Sequence, residues 1–597
     1  MNKRKILIIF VFLTIACLAV LVWYAPIIFK GYNFTTTGSD ALVRARNFAL
    51  SGRYSSESDL NVILAPSLIA SQGAESNQGN KLATVFHGYL IKFFNLDNNN
   101  VVVLANCFVL ALSLLFLSLA IYYTFGFRTA FFFSLIYIFL PTVWRLPQVM
   151  VAHQSPLLWF SLFFLFFSLG SRGFIREDFN FKFFPHGLFL FWAGIFLALG
   201  CLSKESFLVF AAILFFFLIW HKPIRKYVLY IFIPFTLLLA VFWLPSFMVG
   251  KNIYLSSFSS QTDQKLGGAD FGYYAHLYPD PYTYHFDKEN FLDHKFNLTN
   301  LDTMERLGRE KILINTGQLP ISFLEKIKIG LSLFCRHLFR FFSITEIGGP
   351  FIFLLFFLGL AVLGFKEYFF SAEDETQIED KIEKIGARTY WLKFISCVVL
   401  FSFLFLSFAH FGGRNYLMEF AWLIALGVAL GMILLVEQLN KRFVNWPRKI
   451  MELFLLLIVI YNLVLCGHVM WGQSYNQSEI PLLAVYINKI KNTQLNEESI
   501  IAMPVVSAGC AYNINFNTGR SVVVFAPETI TQLLENKKLE EIFKKFKVTH
   551  LLGYTPELTV KIVKNIPGVI VITDSNVSMA EENKAINNKN WFLNLVK

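Results

Sequence analysis

Long apolar runs dominate the sequence, beginning with "ILIIFVFLTIACLAVLVWYAPIIF" at residues 6–29. A helix needs about 20 apolar residues to cross the hydrocarbon core of a bilayer. Because that core offers no water to unpaired backbone groups, runs of this length are typical of transmembrane helices. Only 15% of the residues are charged, whereas ordinary globular domains contain about 25%. The sequence therefore predicts a polytopic α-helical membrane protein.

Windows of this length give about eleven candidate membrane spans. They lie near 6–29, 101–122, 129–143, 155–170, 187–202, 206–220, 228–248, 350–365, 391–409, 417–436 and 450–470. The first run is longer than the apolar region of a secretory signal, which has about 7–15 residues. It is therefore interpreted as an uncleaved signal anchor.

The formal net charge of +12 is explained by membrane orientation and not by nucleic-acid binding. Clusters of Lys and Arg occur at 3–5, 172–182, 222–226 and 441–449, between apolar runs. The positive-inside rule places such clusters in the cytoplasm. The first loop (30–100), a large loop (249–349) and the turn at 410–416 then lie on the outer side, and an odd number of crossings brings the tail there as well.

The tail alternates short β-branched runs with helix-like stretches, which is typical of a small α/β domain. The sequence thus predicts a membrane catalytic domain at 1–474 and a soluble extracytoplasmic α/β domain at 475–597. The tail has no glycine-rich phosphate-binding spacing, so a nucleotide site is not indicated. The seven cysteines show no paired spacing, which supports neither a zinc knuckle nor a disulfide framework.

Three turns on the predicted outer side each contain a single basic residue. These are Arg145 in "WRLPQVMVAHQ", Lys204 in "SKE" and Arg414 in "HFGGRNY". A lone cation at a helix end can simply extend to the lipid headgroups, and Glu205 could be the ion-pair partner of Lys204. Because Arg and Lys are also the usual ligands of phosphate, a shared anionic partner is the alternative.

Asp40, in "TTTGSDALVRARNFALSGRY", would face the same side as these cations. Asp is a preferred N-cap residue, and a helix beginning here would end near Gly52. A carboxylate opposite phosphate-binding cations also suits chemistry in which a base deprotonates a hydroxyl while a phosphate departs. Both roles stay open from the residues alone.

At these residues the chain resembles the GT-C superfold of integral-membrane glycosyltransferases, in particular the branch of protein O-mannosyltransferases and lipid A aminoarabinose transferases (glycosyltransferase family 39-like). The resemblance is carried by "GSDALVRARNFALSGRY", "NKLATVFHGYLIKFF", "LGCLSKES", "GRNYLMEFAWLIALG" and the tail. It implies transfer of a sugar from a polyprenyl-phosphate carrier to a hydroxyl of a glycan, lipid or protein, with inversion. Asp40 matches the catalytic carboxylate, and Lys204, Arg414 and Arg145 are assigned to the donor phosphate.

The chain also departs from the pattern of that branch. A second acid usually accompanies the first-loop carboxylate, but Ala41 follows Asp40, so Glu57, Asp59 and Glu75 are candidate second acids. The acid that often opens the fourth span is replaced by His153 and Gln154, and Asn415 separates Arg414 from Tyr416. His153 and Tyr416 are therefore assigned accessory roles. A divalent metal is compatible with the resemblance without being required by it.

Two other functions fit a polytopic membrane protein. A lipid-linked sugar flippase predicts ionisable residues in mid-membrane, of which the apolar runs contain almost none. An O-antigen ligase or polymerase would generally lack the α/β tail. The favoured hypothesis is an inverting glycosyltransferase of the bacterial inner membrane, with its active site on the outer side.

Overall fold

A computed structural model of the chain describes seventeen segments. They are 3–30, 39–51, 81–148, 151, 153–172, 186–204, 206–220, 228–248, 348–369, 421–442, 447–475, 479–493, 495–496, 498–504, 508–524, 527–545 and 547–573. The helices that precede the tail are α1 (Lys3–Lys30), α2 (Ser39–Ser51), α3 (Lys81–Phe94), α4 (Asn99–Phe125), α5 (Phe127–Phe139), α6 (Pro141–Arg145), α7 (Gln154–Arg172), α8 (His186–Ser203), α9 (Ser206–Trp220), α10 (Val228–Met248), α11 (Pro350–Phe369), α12 (Ala421–Arg442) and α13 (Arg448–Tyr475).

Four described helices are long and apolar enough to cross a membrane: α1, α4, α12 and α13. A fifth span results if α5 and the segment 141–148, which meet at an angle of 54°, are counted together. Other apolar helices, among them α7 and α8, fall below that length over their apolar part. The chain is therefore a helical membrane protein. The count of about eleven spans stays a prediction, and the window 391–409 lies outside the described residues.

Helix α4 forms the centre of the bundle and packs against α1, α5 and α7. Its first turn is capped by Asn98, whose Oδ1 accepts a hydrogen bond from the Val101 N–H at 3.1 Å. It ends at Gly126, whose φ of +92° favours glycine. Eleven of the fifteen buried residues of α4 are apolar and four are polar, so apolar packing on several sides against neighbouring helices holds this position.

A sharp bend separates α5 from α6 at Pro141. Proline has no N–H and cannot continue the hydrogen-bond ladder of the preceding helix. The carbonyl of Ile138 accepts two hydrogen bonds instead, from the indole Nε1 of Trp23 at 3.0 Å and of Trp144 at 2.8 Å. Satisfying a backbone carbonyl in this way makes a bend tolerable inside a membrane protein. The bend directs the segment 146–148, a 3-10 turn, towards α4, and the Leu146 carbonyl accepts a hydrogen bond from Gln154 at the start of α7.

Four charged side chains join α5, α12 and α13 at one end of the bundle. Arg128 contacts Glu452 at 2.6 Å and Glu437 at 3.3 Å, and Arg448 contacts the same two carboxylates at 3.2 and 3.4 Å. This is called the Arg128 end. Helix α4 starts at the opposite end of the bundle, called the Asn99 end. Single exposed ion pairs contribute little, but a closed set of four fixes the mutual positions of three helices.

The tail forms a four-stranded parallel sheet in the order β2-β1-β3-β4. Its elements are α14 (Glu479–Asn492), β1 (Ile500–Met503), α15 (Ala508–Thr518), β2 (Ser521–Val524), α16 (Pro527–Glu535), α17 (Leu539–Lys545), β3 (Val548–Leu552), α18 (Pro556–Asn565) and β4 (Ile570–Thr573). Strands β1 and β3 occupy the two central positions and are largely buried, because parallel strands with crossover helices are covered on both faces. The domain boundary at 474/475 stays a prediction.

The tail, which contains the parallel sheet, contacts the helix bundle at the Asn99 end. The backbone N–H of Asn99 donates to Oδ1 of Asn517 in α15 at 3.0 Å. Helix α13 has 28 residues and leads from the Arg128 end into the tail. Its length of about 42 Å, at 1.5 Å per residue, suffices to cross a bilayer. The tail and the basic cluster at 441–449 therefore lie at opposite ends of the bundle.

Candidate active site

A layer of buried polar side chains crosses the bundle near the Asn99 end. It is formed by residues of α3, α4, α7 and α8 and by the 3-10 turn at 146–148. One of its members, Asn106, lies seven residues into α4, which corresponds to a depth of about 10 Å along the helix axis. Most of the surrounding core is apolar. Buried polar groups in such surroundings need hydrogen-bond partners, so this layer is where polar chemistry is concentrated.

Lys204, directly after α8, and His153, directly before α7, contact each other in this region. The Lys204 ammonium lies 3.1 Å from Nδ1 of His153, and the two residues are 6% and 2% exposed. An ammonium can only donate, so Nδ1 accepts and the imidazole carries its proton on Nε2. A lysine that extended to lipid headgroups would be exposed, and the burial of Lys204 contradicts that interpretation. The structure thus brings together two residues that the sequence assigned to separate roles.

Helix α7 begins beside this pair and directs its N-terminus towards it. The His153 carbonyl accepts the first helical hydrogen bond, from Leu157 N–H at 3.1 Å. Gln154 fixes the start of the helix, because its Nε2 donates to the Leu146 carbonyl at 2.7 Å and its Oε1 accepts from His153 N–H at 3.3 Å. Pro156 is tolerated in this first turn, where its missing N–H has no partner to lose. The N-terminus of a helix of 19 residues carries a partial positive charge that attracts anions.

Two serine hydroxyls next to the pair complete the site, and sequence reasoning missed both. Ser155 and Ser203 are fully buried, and their Oγ atoms bond to no described group. The antiparallel packing of α7 and α8 brings them to one level: Trp159 stacks on Phe196 at 6.3 Å, and a methyl group added at Gly200 would lie 3.9 Å from the Trp159 Cβ. Nothing in the sequence distinguishes these serines from others that end apolar runs.

A second hydrogen-bonded chain supports the layer from the side of α4. His87 in α3 contacts the Ala83 carbonyl at 2.9 Å through Nδ1 and the Oδ1 of Asn106 at 3.0 Å through Nε2. The Nδ2 of Asn106 donates to the Pro147 carbonyl at 2.9 Å. Since Pro147 follows Leu146, which binds Gln154, this chain holds the same turn from the other side. Sequence reasoning did not single out His87 or Asn106.

Asp40 is the second residue of α2, inside the first turn of that helix. The N-cap interpretation expected Asp40 to precede the helix, but the helix already begins at Ser39. Helix α2 packs closely on α3: a methyl group added at Gly88 would lie 2.9 Å from the Ala45 carbonyl, and Phe48 contacts Tyr89 edge-on at 5.3 Å. Helix α3 in turn reaches the polar layer through Phe86, which contacts Trp159. The fold therefore ties the helix of Asp40 to that layer.

Of the other predicted site residues, the structure describes Arg145. Arg145 is half-buried and ends α6, directly before Leu146, whose carbonyl binds Gln154. Six of the candidate residues lie outside the described residues: Arg414, Tyr416, Glu57, Asp59, Glu75 and Glu205. Within the described part of the chain, no group of three or more His, Cys, Asp or Glu could hold a metal ion.

Solved structures with the same fold were found by comparison. The oligosaccharyltransferase of Archaeoglobus fulgidus, in complex with zinc and sulfate, matches with a TM-score of 0.51 and 12% identity over 95% of this chain and 70% of that one. A second structure of that enzyme, AglB in complex with an inhibitory peptide and a dolichol-phosphate, gives a TM-score of 0.50 at 12% identity over 97% and 72% of the two chains. The chain has the GT-C fold. No protein-family model and no curated protein sequence matches it.

The GT-C fold confirms the resemblance at the level of the superfold. The lipid A aminoarabinose branch is represented by ArnT from Cupriavidus metallidurans bound to undecaprenyl phosphate, at a TM-score of 0.34 and 13% identity over 94% of this chain and 89% of that one. That score is too low to assign this GT-C chain to the branch, which stays a prediction.

Proposed function

We propose that the protein is an inverting glycosyltransferase that moves a sugar from a polyprenyl-phosphate carrier to a hydroxyl acceptor at the outer face of the membrane. The observation that carries the proposal is the buried Lys204–His153 pair at the N-terminus of α7, together with the neighbouring residues Ser155 and Ser203, whose hydroxyls bond to no described group. Burying an ammonium in a membrane protein costs several kcal/mol unless hydrogen bonds or an anion offset that cost. A phosphate bound beside Lys204 would supply both an anion and hydrogen-bond acceptors, in addition to the hydrogen bond with His153.

The chemistry of this site suits a phosphate better than a neutral group. Lys204 offers a charge-assisted hydrogen bond, the two serines offer hydroxyl donors, and the start of α7 offers backbone N–H groups. All of them lie at the Asn99 end, within reach of a carrier whose lipid stays in the bilayer. The archaeal oligosaccharyltransferase with this fold has been described in complex with a dolichol-phosphate, which supports a lipid phosphate as the ligand.

In the proposed reaction the acceptor oxygen attacks the anomeric carbon from the side opposite the phosphate. A bond forms between that oxygen and the anomeric carbon while the bond from the anomeric carbon to the phosphate oxygen breaks. Asp40 takes the proton of the acceptor hydroxyl, and Lys204 with Arg414 stabilises the charge that develops on the departing phosphate. A single displacement inverts the anomeric configuration. The products are the glycoside and the free polyprenyl phosphate.

Replacing Lys204 tests the proposed phosphate site. Lys204→Met keeps the length and apolar stem of the side chain but removes the charge, so a charge-assisted hydrogen bond worth about 1.5–3 kcal/mol is lost. We expect the dissociation constant of undecaprenyl phosphate, measured by native mass spectrometry on purified protein, to rise about ten- to hundredfold.

The matched control for this variant is Lys92→Met. Lys92 is exposed in the last turn of α3, so its replacement should leave the affinity unchanged. Equal affinity of the Lys204→Met and parent proteins would refute the phosphate site. Lipid binding that depends on Lys204, but without any sugar transfer to envelope glycans, would favour the flippase alternative.

The assignment of the Asn99 end to the outer face predicts the behaviour of reporter fusions. Alkaline phosphatase is active only outside the cytoplasm, and a fusion after Lys597 should therefore be active. A fusion near Lys226, in a basic cluster, should be inactive because the positive-inside rule retains that segment in the cytoplasm. An active fusion near Lys226 together with an inactive fusion after Lys597 would show that the orientation is the reverse of the predicted one. The site would then lie on the cytoplasmic face.

A further inference from the structure

Helix α15 of the tail is bonded directly to α2, the helix that contains Asp40. The Arg46 guanidinium donates to the Asn515 backbone carbonyl at 2.9 Å and also to the side-chain oxygen of Asn515. It lies over the Phe516 ring, 5.8 Å from the centroid. Desolvation lowers the pKa of Arg46 to about 10, so the side chain stays charged at neutral pH. These hydrogen bonds are therefore charge-assisted and bidentate, which is the stronger and more directional kind.

The same helix is also bonded to the bundle itself. Asn99, the first residue of α4, donates from its side chain to Oδ1 of Asn513 and from its backbone to Oδ1 of Asn517. Asn513 and Asn517 are one turn apart on α15, and Asn517 donates back to the Asn513 carbonyl at 2.7 Å. Asn515 lies about 200° around the helix from Asn513, at 3.6 residues per turn. Helix α15 therefore contacts α4 with one side and α2 with the other.

The asparagine that contacts Arg46 is itself held in place. Asn515 is fully buried, and its Nδ2 donates to the Arg520 carbonyl at 2.7 Å. Arg520 directly precedes strand β2, so the orientation of this side chain is fixed by the sheet unit. The contact thus extends from the sheet of the tail, through Asn515, to the middle of α2.

Helix α2 depends on such contacts for its position. It has 13 residues, and an isolated helix of that length is only marginally stable in water. It packs on α3 and on α15. Arg46 follows Asp40 by six residues, about 9 Å along the helix axis. A shift of α2 at Arg46 would be passed on to its first turn.

We propose that α15 is a positioning element for sugar transfer: Asn515, through Arg46, holds α2 so that Asp40 faces the donor. This inference rests on the proposed function for the role of Asp40, but not for the contact itself. Catalytic groups must be held to well within 1 Å, and a misplacement of about 1 Å can cost up to about a hundredfold in rate. Loss of this contact should therefore lower the rate of transfer without weakening the binding of the carrier.

The test uses full-length Asn515→Ala and Arg46→Met proteins, with Asn565→Ala as the matched control. Asn565 is exposed in α18 and bonds only within its own helix in the described contacts. Hydrogen–deuterium exchange should become faster for residues 39–51 in both test variants, while exchange in β1 and β3 stays at the parental rate. Transfer to envelope glycans should fall roughly ten- to hundredfold, and the affinity for undecaprenyl phosphate should stay within about twofold. The control should match the parent in all three measurements.

Arg46→Lys separates positioning from general stability. It keeps the charge and one donor but loses the planar fork, so exchange and transfer should lie between those of the parent and Arg46→Met. Faster exchange in the sheet of Asn515→Ala would mean that this variant destabilises the tail itself. In that case the same three measurements on Arg46→Lys, which leaves the tail unchanged, test the positioning role. Faster exchange in 39–51 with parental transfer would overturn the positioning role and leave the proposed function intact. Unchanged exchange in 39–51 would overturn the inference whatever the activity of the parent.

Discussion

Asp40→Asn is expected to lower the rate of sugar transfer at least ~10²-fold while leaving the fold and the binding of the carrier intact. Asparagine has nearly the size of aspartate but cannot take the proton of the acceptor hydroxyl. Because position 40 lies inside the first turn of α2, the change also removes a negative charge near a helix N-terminus, an effect of only about 0.3–1 kcal/mol. The initial rate can be measured by mass spectrometry of envelope glycans in a deletion strain that expresses each variant.

The control for Asp40→Asn is Asp97→Asn. Asp97 is an exposed acid just before α4, at the same end of the bundle, so its replacement changes the charge of that end equally. Parental rates are expected for this protein. An Asp40→Asn protein with parental turnover would show that Asp40 only stabilises the helix and that another group is the base. A loss of undecaprenyl phosphate binding in Asp40→Asn would instead assign Asp40 to the binding of the carrier.

Gly431→Ala is expected to destabilise the bundle by about 1–3 kcal/mol or more, because it overpacks a contact between two backbones. Helices α11 and α12 approach so closely that a methyl group at Gly431 would overlap with the Leu355 carbonyl oxygen. At Gly359, on the facing helix, a methyl group would overlap with the Gly427 carbonyl oxygen. No side-chain rotation can relieve such a contact, so the two helices must separate. The thermal unfolding temperature in detergent and the amount of protein in the membrane should both fall.

Gly200→Ala is the matched control, with the same substitution inside another buried helix. A methyl group there would lie 3.7 Å from the nearest atom, which is ordinary van der Waals contact. Alanine also favours helix over glycine by about 1 kcal/mol, so this variant should be as stable as the parent or slightly more so. Equal unfolding temperatures for the two variants would contradict the close approach of α11 and α12. Small residues at such seams are what lets membrane helices pack at short distance.

Most of the described helices that carry the apolar core follow directly from the sequence. The windows at 101–122, 155–170 and 187–202 lie inside α4, α7 and α8, because an apolar run of this length has few other structures in a membrane. The runs of the tail at 500–503 and 548–552 are likewise strands. The α5–α6 bend was missed, although Pro141 marks it, because an apolar window does not distinguish a straight helix from a bent one.

Some residues of the candidate site were also found from the sequence, whereas their contacts were seen only in the structure. Asp40 and Lys204 were selected from the sequence because a charge next to an apolar run is conspicuous in local composition. The contact of Lys204 with His153, 51 residues away, was not foreseen, and neither were the hydroxyls of Ser155 and Ser203, which bond to no group in the described part of the chain. These depend on the register in which α7 and α8 pack, and that register is set by the shapes of Trp159, Gly200 and their neighbours on both helices.

The tail shows most clearly what only the tertiary structure decides. The sequence identifies strands and helices there because hydrophobic periodicity is local and needs no partner. It contains no sign that Arg46 is bonded to Asn515, 469 residues away, or that α15 lies between α2 and α4. Arginine and asparagine are ordinary surface residues in a sequence. They become a partly buried, directional contact only when two folded surfaces of matching shape and polarity meet.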